Sequence, residues 1–221
     1  MLCRSCSVVG LTALLAAGGV LAVAAAPSQQ TPAKPAAPTA PAATAPAAGQ
    51  LMKCTIDPVH SKALFRVQHL GAGPFWGRFN DVTGSFQFMP GSADGMKFDV
   101  SIKIDSVDTG TEDLDKHLKS PDFFSSKDFP TMTFVSTGAK SLGKNVYEVT
   151  GNLTMHGVTK PVTAALEFIG TADFGRGARA GFEAVFTVKR SEFGVNYGVE
   201  KDMIGNDVRV VVGLEGTVDK K

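Results

Sequence analysis

The sequence predicts an all-β domain: about eight antiparallel strands closed into a barrel, with one short helix. Three observations carry this. From Cys54 onward apolar and polar residues alternate with period two, the mark of strands that bury one face. Turn signals separate many of these runs, so successive strands pair antiparallel. Only one segment, Thr111 to Leu118, reads as a helix. Eight one-sided strands must hide their apolar faces; closing into a barrel does so and removes the sheet edges. A two-sheet sandwich is the alternative.

The elements follow in order. Ala63, Phe65 and Val67 form the first apolar set, and Val82, Gly84, Phe86 and Phe88 the second. Phe98, Val100, Ile102 and Ile104 make the cleanest alternation, against Lys97, Asp99, Ser101 and Lys103. The helix comes next. Thr111 stands as its cap, acids fill its first turn, basic residues its end, and Pro121 stops it; that order suits the helix dipole. Met132 and Phe134 open the following strand. Tyr147, Val149, Gly151, Leu153 and Met155 make the next, and Val162, Ala164, Leu166 and Phe168 the one after. Phe182, Ala184, Phe186 and Val188, then Val208, Val210, Val212 and Leu214, complete the set. Turns are expected at Pro90-Gly91, Asp94-Gly95, Ser141 to Asn145, His156-Gly157 and Gly175 to Gly181.

Before this domain lie two segments that build no core. Residues 1–24 carry one charge, Arg4, then an apolar run closed by Ala22-Val23-Ala24, the pattern of a cleaved export signal. An uncleaved membrane anchor is the alternative. Residues 25–50 are nearly all Ala, Pro and Thr, and read as an extended tether or a plain spacer. Residues 51–221 form the folded domain. Loss of the signal removes Cys3 and Cys6 and leaves Cys54 alone, so no internal disulfide can form. Cys54 reads as a buried thiol, with a homodimer bridged through it as the alternative.

Composition excludes several functions. The chain of 221 residues has 22 Lys and Arg against 21 Asp and Glu, with no basic patch, so no nucleic-acid footprint is visible. Phe outnumbers Tyr and Trp, 15 against 2 and 1, which suits a dry interior better than a polar substrate site. The four histidines, His60, His69, His117 and His156, form no H-x-H or H-E-x-x-H, and no metal site is expected. No G-x-S-x-G elbow and no phosphate loop occurs. We therefore expect no enzyme and no cofactor. Asp57 to Ser61 is a compact polar cluster at the first strand: Asp57 is expected to fix a corner by accepting from Ser61 or nearby backbone, with His60 alongside. His117 is expected to pin the helix. His60 or His117 paired with Asp57 or Asp115 would be the catalytic alternative.

The inward faces mix large groups with small ones, Ala63, Gly151, Ala164 and Ala184, which leaves room for a hole. An eight-stranded barrel is wide enough to fill itself or to hold one small ligand.

Five motifs together, in this order, resemble the YceI-like, or polyisoprenoid-binding, family. They are IDPVHSKALFRVQHL (56–70), SVDTG (106–110) with HLKSPDFF downstream, DFPTMTF (128–134), GNLTMHGVTKPV (151–162) and RSEFGVNYG (190–198). The resemblance covers roughly Cys54 to Val218. It implies a lipocalin-like antiparallel barrel whose mouth is covered by the helix and its loop. It also implies an apolar tunnel for an isoprenoid, quinone or fatty chain, and residence in the bacterial periplasm. Such a protein would transport or store its lipid, or act in a stress response. Its expected lining is Phe65, Val67, Phe86 and Phe88; then Phe98, Val100 and Ile102; Leu118, Phe123 and Phe124 of the lid; and Met132, Phe134, Leu153, Met155, Leu166, Phe168, Phe182 and Phe186 on the later strands. Leu114 stands where the family often has Arg, and Cys54 where an aromatic is common. An interaction module with a solid core, or a lipid-modifying enzyme, is the competing reading.

Overall fold

The computed structural model describes residues 49–220, so the signal and nearly all of the tether expected before Leu51 lie outside the described residues. Strand β1 (Met52–Ile56) opens the domain, burying Met52, Cys54 and Ile56 while Lys53 and Thr55 face water. Strands β2 (Lys62–His69), β3 (Gly73–Phe79), β4 (Val82–Met89) and β5 (Ser92–Lys103) follow, then the short β6 (Val107–Asp108). Helix α1 (Glu112–Lys119) comes next, and β7 (Thr131–Gly143), β8 (Val146–Met155), β9 (Val158–Asp173), β10 (Ala178–Lys189) and β11 (Asp207–Val218) complete the chain.

Eight strands close the barrel in the order β1-β4-β5-β7-β8-β9-β10-β11, and β11 returns to β1. Every pairing is antiparallel. The ring's membership differs from the sequence expectation. The first expected strand, around Ala63 to Val67, is β2, which lies outside the ring and extends it with β3 and β6. The place in the ring belongs to β1. The physical reason is a break: β1 and β2 run along successive parts of β11, with Cys54 opposite Val218 and Ala63 opposite Val212. Asp57 to Ser61 forms the corner between them. His60 therefore sits in this corner and not on a strand with His69, which ends β2.

Asp94-Gly95, expected as a turn, lies inside β5. Gly95 has a φ of 68°, the register with β4 shifts nearby, and Gln87 Nε2 donates to the Gly95 carbonyl at 2.8 Å. The pair is thus a bulge, which a glycine in the left-handed region allows. Thr111 occupies the N-cap position of α1, but its hydroxyl makes no capping bond. Asp115 serves the turn before it, accepting from the Thr109 backbone N–H at 2.8 Å and from the Thr109 hydroxyl at 2.7 Å.

Candidate functional site

The inward faces meet in one apolar cavity of about 160 Å³. Its wall draws on β2, β3, β5, β7, β8, β9, β10 and β11, with α1 and the turns after it. Phe65, Val67, Phe98, Val100 and Ile102, which alternation places on inward faces, line it. So do Met132, Phe134, Leu153, Met155, Leu166 and Phe186. Ala63, Ala164 and Ala184 supply the small surfaces that leave it open.

Gly151 does not help to leave a hole. A Cβ there would come within 2.4 Å of the Phe134 ring, and one at Gly77 within 2.3 Å of the Phe65 ring, too close for either to fit. In each pair a phenyl closely approaches a glycine of the neighbouring strand, so both glycines shape the wall by letting an aromatic in.

Four of the expected lining residues lie elsewhere. Phe86, Phe88, Phe168 and Phe182 are absent from the wall and pack on one another. Phe182 stands edge-on to Phe86 at 5.4 Å, Phe88 at 5.0 Å and Phe98 at 5.4 Å. They plug the barrel near the β4–β5 turn. Adjacent inward positions on neighbouring strands each carry a phenyl, so the rings fill the bore. The cavity therefore stops at these rings and does not run on past them.

The other end lies under a lid. Of the four phenylalanines between His117 and Phe134, three line the cavity: Phe123, Phe124 and Phe134, beside Leu118. Phe129 instead packs on His156 at 4.7 Å and over Gly157. His117 Nε2 and an Asp122 carboxylate oxygen lie 3.0 Å apart, and the imidazole stands edge-on to Phe123 at 5.0 Å. The turn is tied further: Phe124 N–H donates to the Leu118 carbonyl, and Ser125 Oγ donates to Asp128 at 2.7 Å.

Arg190 lines the cavity as well, and the expected site omits it. Its guanidinium is buried and donates to three carbonyls: Nε to Gly205 at 2.8 Å, Nη1 to Val195 at 2.9 Å and Nη2 to Ile204 at 2.7 Å. It thereby folds the 194–206 loop over the bore, where Val195 and Ile204 join the lining. Burial pulls the Arg190 pKa down. Among the described residues, Thr133 is the wall's one polar side chain besides Arg190, and no histidine, carboxylate or thiol lines it.

The Asp57 cluster stands apart from the cavity wall. Asp57 accepts from the Val59 backbone N–H at 2.9 Å and pairs with His60 Nδ1 at 2.9 Å. Arg179 Nη1 donates to it at 2.6 Å and to Glu215 at 2.7 Å. Arg179 first, then His60, holds the Asp57 carboxyl well below the usual carboxylate range. Ser61 bonds not with Asp57 but with β11: its Oγ donates to the Glu215 carbonyl at 3.1 Å and accepts from the Glu215 N–H at 2.9 Å. The hydroxyl replaces a ladder pair at the break between β1 and β2.

Ligand atoms of Asp57, His60 and Glu215 lie within 4.8 Å of one another, near enough for a cation. The Arg179 guanidinium already supplies that positive charge. Cys54 is fully buried, and burial, with the nearby Asp219 charge, pushes its thiol up to about 12. A thiol so protonated is a poor nucleophile.

The matched family model is the YceI-like domain, over residues 54–216. A UPF0312 protein of Azotobacter vinelandii is 39% identical over 160 residues, covering 71% of this chain and 81% of its own. The solved structure of Burkholderia cenocepacia BcnA is 29% identical with a TM-score of 0.65, covering 73% of this chain and 99% of that one. A polyisoprenoid binding domain from Saccharophagus degradans, implicated in plant cell wall breakdown, shares the fold at 16% identity. Its TM-score is 0.59, over 77% of this chain and 100% of that one.

Proposed function

The chain belongs to the YceI-like family, and we propose that it binds the chain of an apolar lipid, an isoprenoid, a quinone or a fatty-chain molecule, in the barrel cavity. The observation that carries the reading is an internal hole of about 160 Å³ whose wall is apolar but for Thr133 and Arg190. A void costs stability through lost contacts, and a chain that fills it restores them. The binding term is the removal of methylenes from water, about 0.8 kcal/mol each. At roughly 30 Å³ per group, near the liquid volume of one water, the cavity takes about five methylenes as it stands. A longer chain needs the lid of Phe123, Phe124 and Ile204 to move outward.

The wall offers no paired histidine and carboxylate to do chemistry, which favours a carrier or store over an enzyme. The Asp57–His60 pair lies outside it, where it braces the corner. Export to the periplasm, with transport, storage or a stress response as the task, is part of the proposal and rests on residues 1–24 as an export signal.

The test is a titration of the full chain with dispersed polyprenyl alcohols and fatty alcohols of increasing length. Affinity should climb with each added methylene and then level off. No saturable uptake at any length would overturn the proposal.

A further inference from the structure

We propose that the lid end of the barrel docks on a lipid bilayer, with Leu70, Tyr197 and Met203 entering its interface. The inference rests on the apolar-chain cargo proposed above, but it is read by a separate signal.

Three exposed apolar side chains converge on this end. Leu70 is 58% exposed, Tyr197 42% and Met203 39%. They form one neighbourhood: the Leu70 N–H donates to the Met203 carbonyl at 2.7 Å, and His69 bridges to Ile204. Tyr197 packs on Phe123 and His117, each at 5.0 Å. Phe123 and Ile204 line the cavity, so the exposed groups continue its wall to the outside.

Leu70 adds an independent sign. Its φ is 52°, in the left-handed region, where a glycine or asparagine is less strained. A left-handed leucine that is 58% exposed gains little from packing within the molecule, and such backbone conformations cluster at functional sites.

The occupant follows from size and charge. Three side chains are far short of the roughly 800 Å² per partner of a stable protein interface. Insertion into a bilayer needs no such area, because each apolar group contributes by itself. Glu200, Lys201 and Asp202 beside the rim leave it without a basic bias, so a zwitterionic surface suffices. Exposed apolar groups also occur at the far end, Phe174 among them, but the phenyl plug closes the bore there. An insoluble cargo enters from the phase that dissolves it, and only the lid end joins that phase to the cavity.

The test places a single tryptophan at either end of the full chain, by Tyr197→Trp or Phe174→Trp, with Trp76→Phe in both. Each protein is mixed with phosphatidylcholine vesicles carrying brominated acyl chains. The proposal expects bromine quenching of the tryptophan at 197, little at 174, and no change with added salt. Leu70→Asp with Met203→Asp should weaken vesicle binding about tenfold or more. Both changes are at the surface, and aspartate tolerates the left-handed turn.

Quenching at 174 in place of 197 would overturn the proposal. So would no quenching, or self-association in solution that protects the tryptophan at 197, which would assign the rim to a second copy. Uptake of polyprenyl alcohol from a vesicle-free dispersion is measured alongside. If uptake holds while quenching fails, docking alone is wrong; if uptake fails, the cargo reading is wrong.

Discussion

Ala164→Leu tests whether this cavity is where the cargo lies. Ala164 is buried on β9 and forms part of the wall, with Leu166 of the same face beside it. Leucine adds three carbons, about 90 Å³ at roughly 30 Å³ each. That fills over half of the 160 Å³ present. Displacing about three methylenes of a bound chain, at about 0.8 kcal/mol each, loses about 2.4 kcal/mol. Affinity for a short alkyl probe should therefore fall about fifty-fold. Stability should change little or rise, within about 1–2 kcal/mol, because the added group occupies an existing void. The assay pairs a probe titration with urea unfolding of the same variant. A folded variant whose affinity stays within twofold of the parent would show that the chain is bound elsewhere than in this cavity.

Further outcomes are expected. Arg190→Met should cost about 2–4 kcal/mol in urea unfolding, since three carbonyls lose their donor, and should speed hydrogen exchange in the 194–206 loop. Gly151→Ala drives a methyl against the Phe134 ring and should cost about 1–3 kcal/mol while reducing probe uptake. Asp57 is held below its ordinary pKa by Arg179 first, and Asp108 is lowered to about 2 by Arg78 first, then by Asn80. For both groups the unfolded chain binds protons first, so their stabilisation is present above about pH 4 and is lost as pH falls toward 2 and below. Urea midpoints taken from pH 7 down to pH 3 should decline, and the decline should be shallower in Asp57→Asn, which starts less stable.

The barrel was legible because alternation reports which face is buried. The fourteen expected residues that line the cavity all came from that signal or from the lid motif. Strand β3 was not legible: GPFWGRF carries two glycines and a proline, residue types that strands usually lack, and no run of apolar residues on one face. Nor was β1, which supplies only three inward residues, Met52, Cys54 and Ile56. Alternation also cannot tell a phenyl that lines a cavity from one that fills the bore. Phe98 touches both cavity and plug although it stands directly opposite Phe86, so neither alternation nor register tells the two roles apart. The role of Arg190 leaves no sequence pattern, because its partners are backbone carbonyls in a loop. Arg179 meets Asp57 across 122 residues, a pairing that no local rule foresees.

The most direct test of lipid-chain binding is native mass spectrometry of the full chain as purified, without detergent, from an exporting bacterial host, followed by organic extraction. One apolar species should be bound near one to one, with a mass that bounds its chain length. A protein that arrives empty and then refuses added polyprenyl alcohol and quinone would contradict it, and the cavity would be a packing defect beneath a closed lid.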